Sequence, residues 1–262
     1  MSPPTASTPR RLIWLPGSYS VQFVQRTITD RRVAVVVGSS RPTRICPGIA
    51  AWIREALQES LPSSLSGSVR YEILDLAQVG LPLLDEPLMP ALGQYEHEHT
   101  KAWSRTVNGY DGFIFVFPQY NWGYPAILKN ALDCLYQEWT GKPVSFATYG
   151  TRGGGRGARQ VQGVFAGLHM RELYGHLEIV ITINDVDSDW QVKSVDEVLA
   201  PYGRQLRAVG GQMLEAFGLP GGPGMRMTRP LRAVMVALRR ARIVVGGALV
   251  PRRHPRRAKA IG

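Results

Sequence analysis

Between Arg32 and Phe217 the chain alternates short unbroken apolar runs with longer amphipathic stretches, a pattern that few folds accept. Val33–Val37 is a continuous run of Val and Ala that ends at Gly38, which suits a strand covered on both faces. Phe113–Phe117 has the same character, and Val69–Leu74, Val144–Tyr149 and Leu177–Ile183 complete the set of expected strands. Between and after them, Ile49–Leu57, Tyr95–Asn108, Pro125–Gln137, Arg156–Met170 and Ser194–Phe217 read as helices. The first shows helical spacing through Ile49, Ile53 and Leu57, and the last is expected to be irregular at Gly210-Gly211. Strands alternating with helices make βαβ units, so the expected architecture is α/β. It is a doubly wound five-stranded parallel sheet of order 2-1-3-4-5 with helices on both faces, and such sheets bind ligands at the carboxyl ends of their strands.

This organisation predicts one domain over residues 32–218, a flexible Pro-containing extension over 1–31, and a basic tail over 219–262 that is disordered or partly helical. The formal charge of +11 sits entirely in that tail. No acidic residue follows Glu215, whereas ten arginines from Arg226 to Arg257 and Lys259 do. The preceding body is neutral, so nucleic acid is not an expected partner of the domain. Leu231, Val234, Leu238, Ala241 and Val245 make a weak basic amphipathic pattern in the tail, which leaves open a role in binding nucleic acid or an anionic membrane. The apolar runs Leu12–Leu15 and Ile243–Val250 fall well short of the roughly 20 residues that span a bilayer, so no membrane span or signal-peptide core is expected. Cys46 and Cys134 lack zinc-ligand or CxxC spacing, which fits a cytoplasmic protein.

Three loops carry the polar and glycine residues that chemistry needs. Gly38-Ser39-Ser40-Arg41-Pro42-Thr43-Arg44-Ile45 runs from the first strand into the first helix and combines hydroxyls, two arginines and a helix start. That combination suits an anion such as phosphate, although an ordinary helix start with solvated arginines has the same composition. It has neither the GxGxxG nor the GxxxxGK[ST] spacing, so dinucleotide Rossmann and P-loop readings are unsupported. The third strand ends in Pro118-Gln119-Tyr120-Asn121-Trp122-Gly123-Tyr124-Pro125, followed by Leu128-Lys129-Asn130-Ala131. The fourth ends in Tyr149-Gly150-Thr151-Arg152-Gly153-Gly154-Gly155-Arg156.

Taken in register over residues 32–217, these loops resemble the NADPH-dependent FMN reductase family, whose pattern reads approximately G-S-x-R, then P-E-Y-N with P-x-x-L-K-N-A, then a glycine-rich loop. The resemblance implies a flavodoxin-like fold, FMN as cofactor and NADPH or NADH as co-substrate. It implies hydride transfer to the flavin and on to a small acceptor such as free flavin, a quinone or an azo compound. It places Ser39, Arg41, Arg44 and Ile45 around the FMN phosphate, and Pro118, Gln119, Tyr120, Asn121 and Trp122 along the isoalloxazine ring. Tyr149, Gly150, Gly153 and Gly154 form the opposite wall and supply backbone donors. No catalytic side chain is expected, because the flavin carries the chemistry. A homodimer or homotetramer is also implied, with the Leu81–Pro90 loop as a contact. Gln119 departs from the family's glutamate, and Arg152 and Arg159 are either solvated or drawn to an NADPH 2′-phosphate. A flavin-binding sensor or electron carrier without turnover is the alternative.

Other residues invite simpler readings. His97-Glu98-His99 is expected to be a solvated polar face with no metal, because alternate residues on a helix do not face one another. Trp52, Trp103, Trp139 and Cys134 read as packing residues, whereas Cys46 at a helix start is a candidate for a lowered thiol pKa.

Overall fold

The computed structural model describes residues 30–220. The extension, most of the basic tail and its amphipathic pattern lie outside the described residues. In chain order the elements are β1 (Arg31–Val37), α1 (Cys46–Glu59), β2 (Val69–Asp75), α2 (Leu76–Val79), α3 (Glu98–Asn108), β3 (Gly112–Pro118) and α4 (Ala126–Asp133). They continue with β4 (Pro143–Gly150), α5 (Gly155–Gly167), β5 (Arg171–Glu172), β6 (Leu177–Val180), α6 (Val195–Leu199) and α7 (Gly203–Ala216). Every strand pairing is parallel, in the order β2-β1-β3-β4, with β5 and β6 both on the far side of β4.

The unbroken apolar runs have the cause expected of them. Val33, Val35 and Val37 face a layer containing Ile49, Ile53 and Leu57 of α1 and Leu206, Val209 and Met213 of α7. The intervening Ala34 and Val36 face the other layer with Phe113, Phe115 and Phe117, Trp103 of α3, Leu128 of α4 and Phe165 of α5. Because side chains alternate along a strand, a strand between two helical layers must be apolar at every position. Trp103 and Trp139 are buried and Trp52 packs against the α1 layer, as their packing role requires.

The fifth strand differs from expectation in being split in two. After Leu173 the chain leaves the ladder and rejoins it at Leu177. The detour is stable because Gly175 keeps its backbone partners: its N–H donates to Gln212 Oε1 at 2.9 Å and its carbonyl accepts from Ser145 Oγ at 2.7 Å. The final helix is also broken, at Ala200-Pro201-Tyr202 rather than at Gly210-Gly211. Proline lacks the N–H that a continuous helix needs, while Gly210 sits inside α7, where its missing side chain admits Leu57. Helix α3 begins at Glu98, because Glu86 Oε2 and Oε1 accept the N–H groups of Glu96 and His97 and hold them extended. Helix α4 ends at Asp133, and Gln137–Trp139 forms a separate short turn.

A Cβ on Gly210 would lie 2.8 Å from Leu57 Cδ2. Gly210→Val is therefore expected to destabilise the domain by about 1–3 kcal/mol, read as a lower urea midpoint. An unchanged midpoint would mean that α1 and α7 are not packed this closely.

Candidate functional site

Parallel pairing brings the carboxyl ends of β1, β3 and β4 to one edge of the sheet, and the three loops leave from there. Two sets of side-chain bonds tie them together. Ser39 Oγ of the first loop and the Tyr120 hydroxyl of the second lie 3.0 Å apart. Gln119 Oε1 accepts the N–H groups of Arg156, at 3.0 Å, and Gly157, at 3.1 Å, at the start of α5 beyond the third loop. The Gln119 N–H also continues the ladder to the Tyr149 carbonyl at 2.9 Å.

The first loop presents an open helix start. α1 has no side-chain cap and no acidic residue in its first turn, so nothing there offsets the positive end of the helix dipole, although Pro47 contributes no N–H. Ser39 lies fully buried beneath it, and Arg41 folds back so that its guanidinium donates to the Thr43 carbonyl at 3.1 Å. Arg44 is held more firmly than its neighbours. Its Nη2 pairs with Asp75 Oδ2 at 2.6 Å, and Asp75 Oδ1 in turn caps α2 by accepting from Ala77 N. Arg44 Nε is buried without a hydrogen-bond partner, an orphaned donor beside an uncapped helix start. Oxygen-rich dianions such as a phosphate fit that donor set. Ile45 is buried in the α1 layer and caps α1 with backbone only.

The second loop is a tight turn with strain in it. Tyr120 and Gly123 exchange backbone hydrogen bonds at 2.9 and 2.8 Å, forcing Asn121 and Trp122 to φ of +45° and +70°. A left-handed tryptophan is unfavourable by about 1–3 kcal/mol and persists where the surroundings over-determine it. The turn leaves Trp122 62 % exposed, with the Arg156 guanidinium stacked on its ring at 3.3 Å.

In the third loop the glycines are required. Gly153 and Gly154 have φ of +75° and +80°, and a Cβ on Gly154 would lie 2.3 Å from Thr148 Oγ1. The Gly153 N–H closes a turn onto the Gly150 carbonyl at 3.1 Å, so that amide is already engaged within the loop.

Three expectations are corrected here. Tyr149 does not form an open wall: strand alternation turns its ring into the α1 layer with Ala147, where it is 5 % exposed. Burial holds its phenol well above the ordinary range. Cys46 is likewise no activated thiol. It is fully buried, its Sγ donates to the Val116 carbonyl at 3.0 Å, and desolvation pushes its pKa up to about 12. His97 and His99 do face each other, with stacked rings 5.2 Å apart, because His97 precedes α3 instead of lying in it. Both bond Asp85 through Nε2, His97 at the Asp85 backbone carbonyl and His99 at the Asp85 carboxylate.

One residue of the site was visible in the motif but had no role assigned. Asn130 in α4 clamps the loop before α3, its Oδ1 accepting from Leu84 N at 2.9 Å and its Nδ2 donating to the Pro82 carbonyl at 2.7 Å. An amide is needed there because the site asks for a donor and an acceptor on one side chain. Gln119 gains a role by the same logic. Only its carbonyl oxygen is used, so a carboxylate would serve the cap equally, and the Gln changes charge without removing the tie. Gln119→Leu is expected to lower unfolding free energy by about 1–3 kcal/mol, whereas Gln119→Glu stays within about 0.5 kcal/mol of the parent. Equal stability of all three by urea titration would mean that the tie is dispensable.

Comparisons with known proteins agree with this geometry. The sequence model described as NADPH-dependent FMN reductase matches residues 31–179. The chain is 47 % identical over 142 residues to an NAD(P)H-dependent FMN reductase of Schizosaccharomyces pombe, covering 53 % of this chain and 68 % of that protein. It is 42 % identical over 150 residues to an NAD(P)H-dependent FMN reductase of Saccharomyces cerevisiae, covering 55 % and 78 %. The solved structure of FerB, a flavoenzyme NAD(P)H:(acceptor) oxidoreductase from Paracoccus denitrificans, superposes with a TM-score of 0.52 at 18 % identity over 71 % of this chain and 98 % of that one. That likeness establishes the flavodoxin-like fold. With more than half of the chain matched, and with all three loops converging on one edge of the sheet, the protein belongs to the NADPH-dependent FMN reductase family.

Proposed function

We propose that the three loops hold FMN, with Ser39, Arg41, Arg44 and the open start of α1 around its phosphate. Pro118, Gln119, Tyr120, Asn121 and Trp122 lie along one side of the ring, and the backbone of Gly150, Gly153 and Gly154 along the other. One observation supports this reading above all. The Ser39–Tyr120 contact and the Gln119 tie to α5 join a phosphate-type donor set, an aromatic turn and a glycine loop into a single unit. The chain is an FMN-dependent NAD(P)H oxidoreductase. When bound, FMN supplies a ring that accepts hydride from NAD(P)H and passes electrons to a second substrate. The chain's own residues bind and orient. Arg41 and Arg44 offset phosphate charge, the Tyr120–Gly123 turn keeps aromatic surface exposed at the rim, and the glycine loop brings backbone close to one plane. Preorganised amides of that kind favour a ring that gains negative charge on reduction.

The acceptor in this reading is a small planar molecule, such as free flavin, a quinone or an azo compound, because the rim is open and aromatic. A cytoplasmic setting is supported by the two cysteines, both free and buried. Two measurements test the reading. Purified protein supplied with FMN is expected to show flavin absorption that bleaches anaerobically with NADPH or NADH and returns when a quinone is added. A protein that neither binds FMN nor oxidises NADPH would overturn it. A second copy of this chain is proposed to cover the loop before α3, where Leu83, Met89 and Leu92 stand 78 %, 68 % and 50 % exposed while Asn130 and Gln137 hold the backbone rigid. Sedimentation at micromolar concentration is expected to give a dimer or tetramer, and monomer alone would remove this contact.

A further inference from the structure

The start of α5 carries positive charge that the fold itself does not use. Arg156 and Arg159 lie three apart on α5, hence as neighbours on its surface, and Arg152 precedes them in the glycine-rich turn. All three are exposed, and among the described residues none forms an ion pair with a carboxylate. The side chain capping this helix start, Gln119, is neutral. A carboxylate on the sheet side, Glu178, lies against Gly155 and contacts His176 at 3.3 Å.

Arg156 is also placed. Its backbone N–H is fixed by Gln119, its guanidinium carbon lies over the Trp122 ring 3.3 Å from the centroid, and the turn bearing Trp122 packs on α5 so closely that a Cβ on Gly157 would lie 3.2 Å from the Gly123 carbonyl. A guanidinium stacked on an aromatic face keeps its N–H groups pointing outward in the plane, where they can grip an anion with little further loss of freedom. The exposed tryptophan beside it offers a surface for a planar ring.

We infer that Arg156, flanked by Arg152 and Arg159 and backed by Trp122, is a binding site for the anionic group of a planar substrate arriving at the rim. The charge can come from a 2′-phosphate on an adenosine nucleotide or from a sulfonate on an aromatic acceptor. The site rests on the flavin reading only in its position at the rim. Its anion chemistry stands on the arginines themselves.

The test uses the FMN-loaded full chain and its Arg156→Gln and Arg156→Lys variants. Calorimetric titration with adenosine 2′,5′-bisphosphate and with 5′-AMP reads the nucleotide source. Turnover with 1,4-naphthoquinone-2-sulfonate against 1,4-naphthoquinone, with the same reductant, reads the acceptor source. Arg156→Gln is expected to weaken one charged member of a pair about tenfold or more, leaving its less charged counterpart unchanged, and Arg156→Lys to recover part of the loss. Loss confined to the bisphosphate assigns the site to the reducing nucleotide, and loss confined to the sulfonate assigns it to the acceptor. The thermal midpoint is expected to stay at the parental value, since the side chain is exposed, and FMN affinity is measured alongside, so that any change transmitted through Trp122 is separated from loss of the anion contact. Discrimination unchanged in both pairs would overturn the proposal. If the chain takes up no FMN, the calorimetry on the free chain still decides the anion site, and only the flavin reading falls.

Discussion

Three neighbouring parallel strands, β1, β3 and β4, end on the same edge, and every polar loop of the candidate site depends on that constraint. Parallel pairing needs a crossover for each connection, and the crossovers here are helices whose starts also face that edge. Loops far apart in sequence thereby become neighbours. Ser39 and Tyr120 are separated by eighty-one positions and meet at 3.0 Å. The covered faces that make the strands so apolar also make the sheet a rigid support for these loops.

Two of the helix starts at this edge, those of α1 and α5, are put to different uses. α5 receives Gln119 Oε1 on two of its leading N–H groups, which joins the glycine loop to the aromatic turn. α1 receives no side-chain cap, and beside it Arg44 Nε stays without a partner while Nη2 of the same guanidinium is anchored by Asp75. One start contributes rigidity and the other remains available to an anion. Strain collects between them, at Asn121 and Trp122, where the backbone bonds of Tyr120 and Gly123 impose positive φ. Such a turn holds an aromatic side chain outward instead of letting it collapse into the core.

Gln119 shows why a departure from a family pattern must be judged by atoms. Read by charge alone, the loss of a carboxylate removes a function. Read by contacts, the oxygen that accepts from α5 is retained, and what changes is the field around the Arg156 guanidinium on Trp122.

The sequence by itself determined the strands, their two-sided burial and the chemical type of each loop, because the period of apolar residues and the demand for glycine or hydroxyl act locally. Val33–Val37 and Phe113–Phe117 were legible as buried strands for that reason. What could not be read locally was whatever a distant partner decided. The split of the fifth strand depends on Ser145 and Gln212, the extended start before α3 on Glu86, and the roles of Asn130 and Gln119 on backbone groups more than thirty residues away. Tyr149 and Cys46 look available for chemistry in the chain, and only tertiary burial withdraws them, since desolvation raises the pKa of each acid by more than the nearby Arg41 and Arg44 lower it.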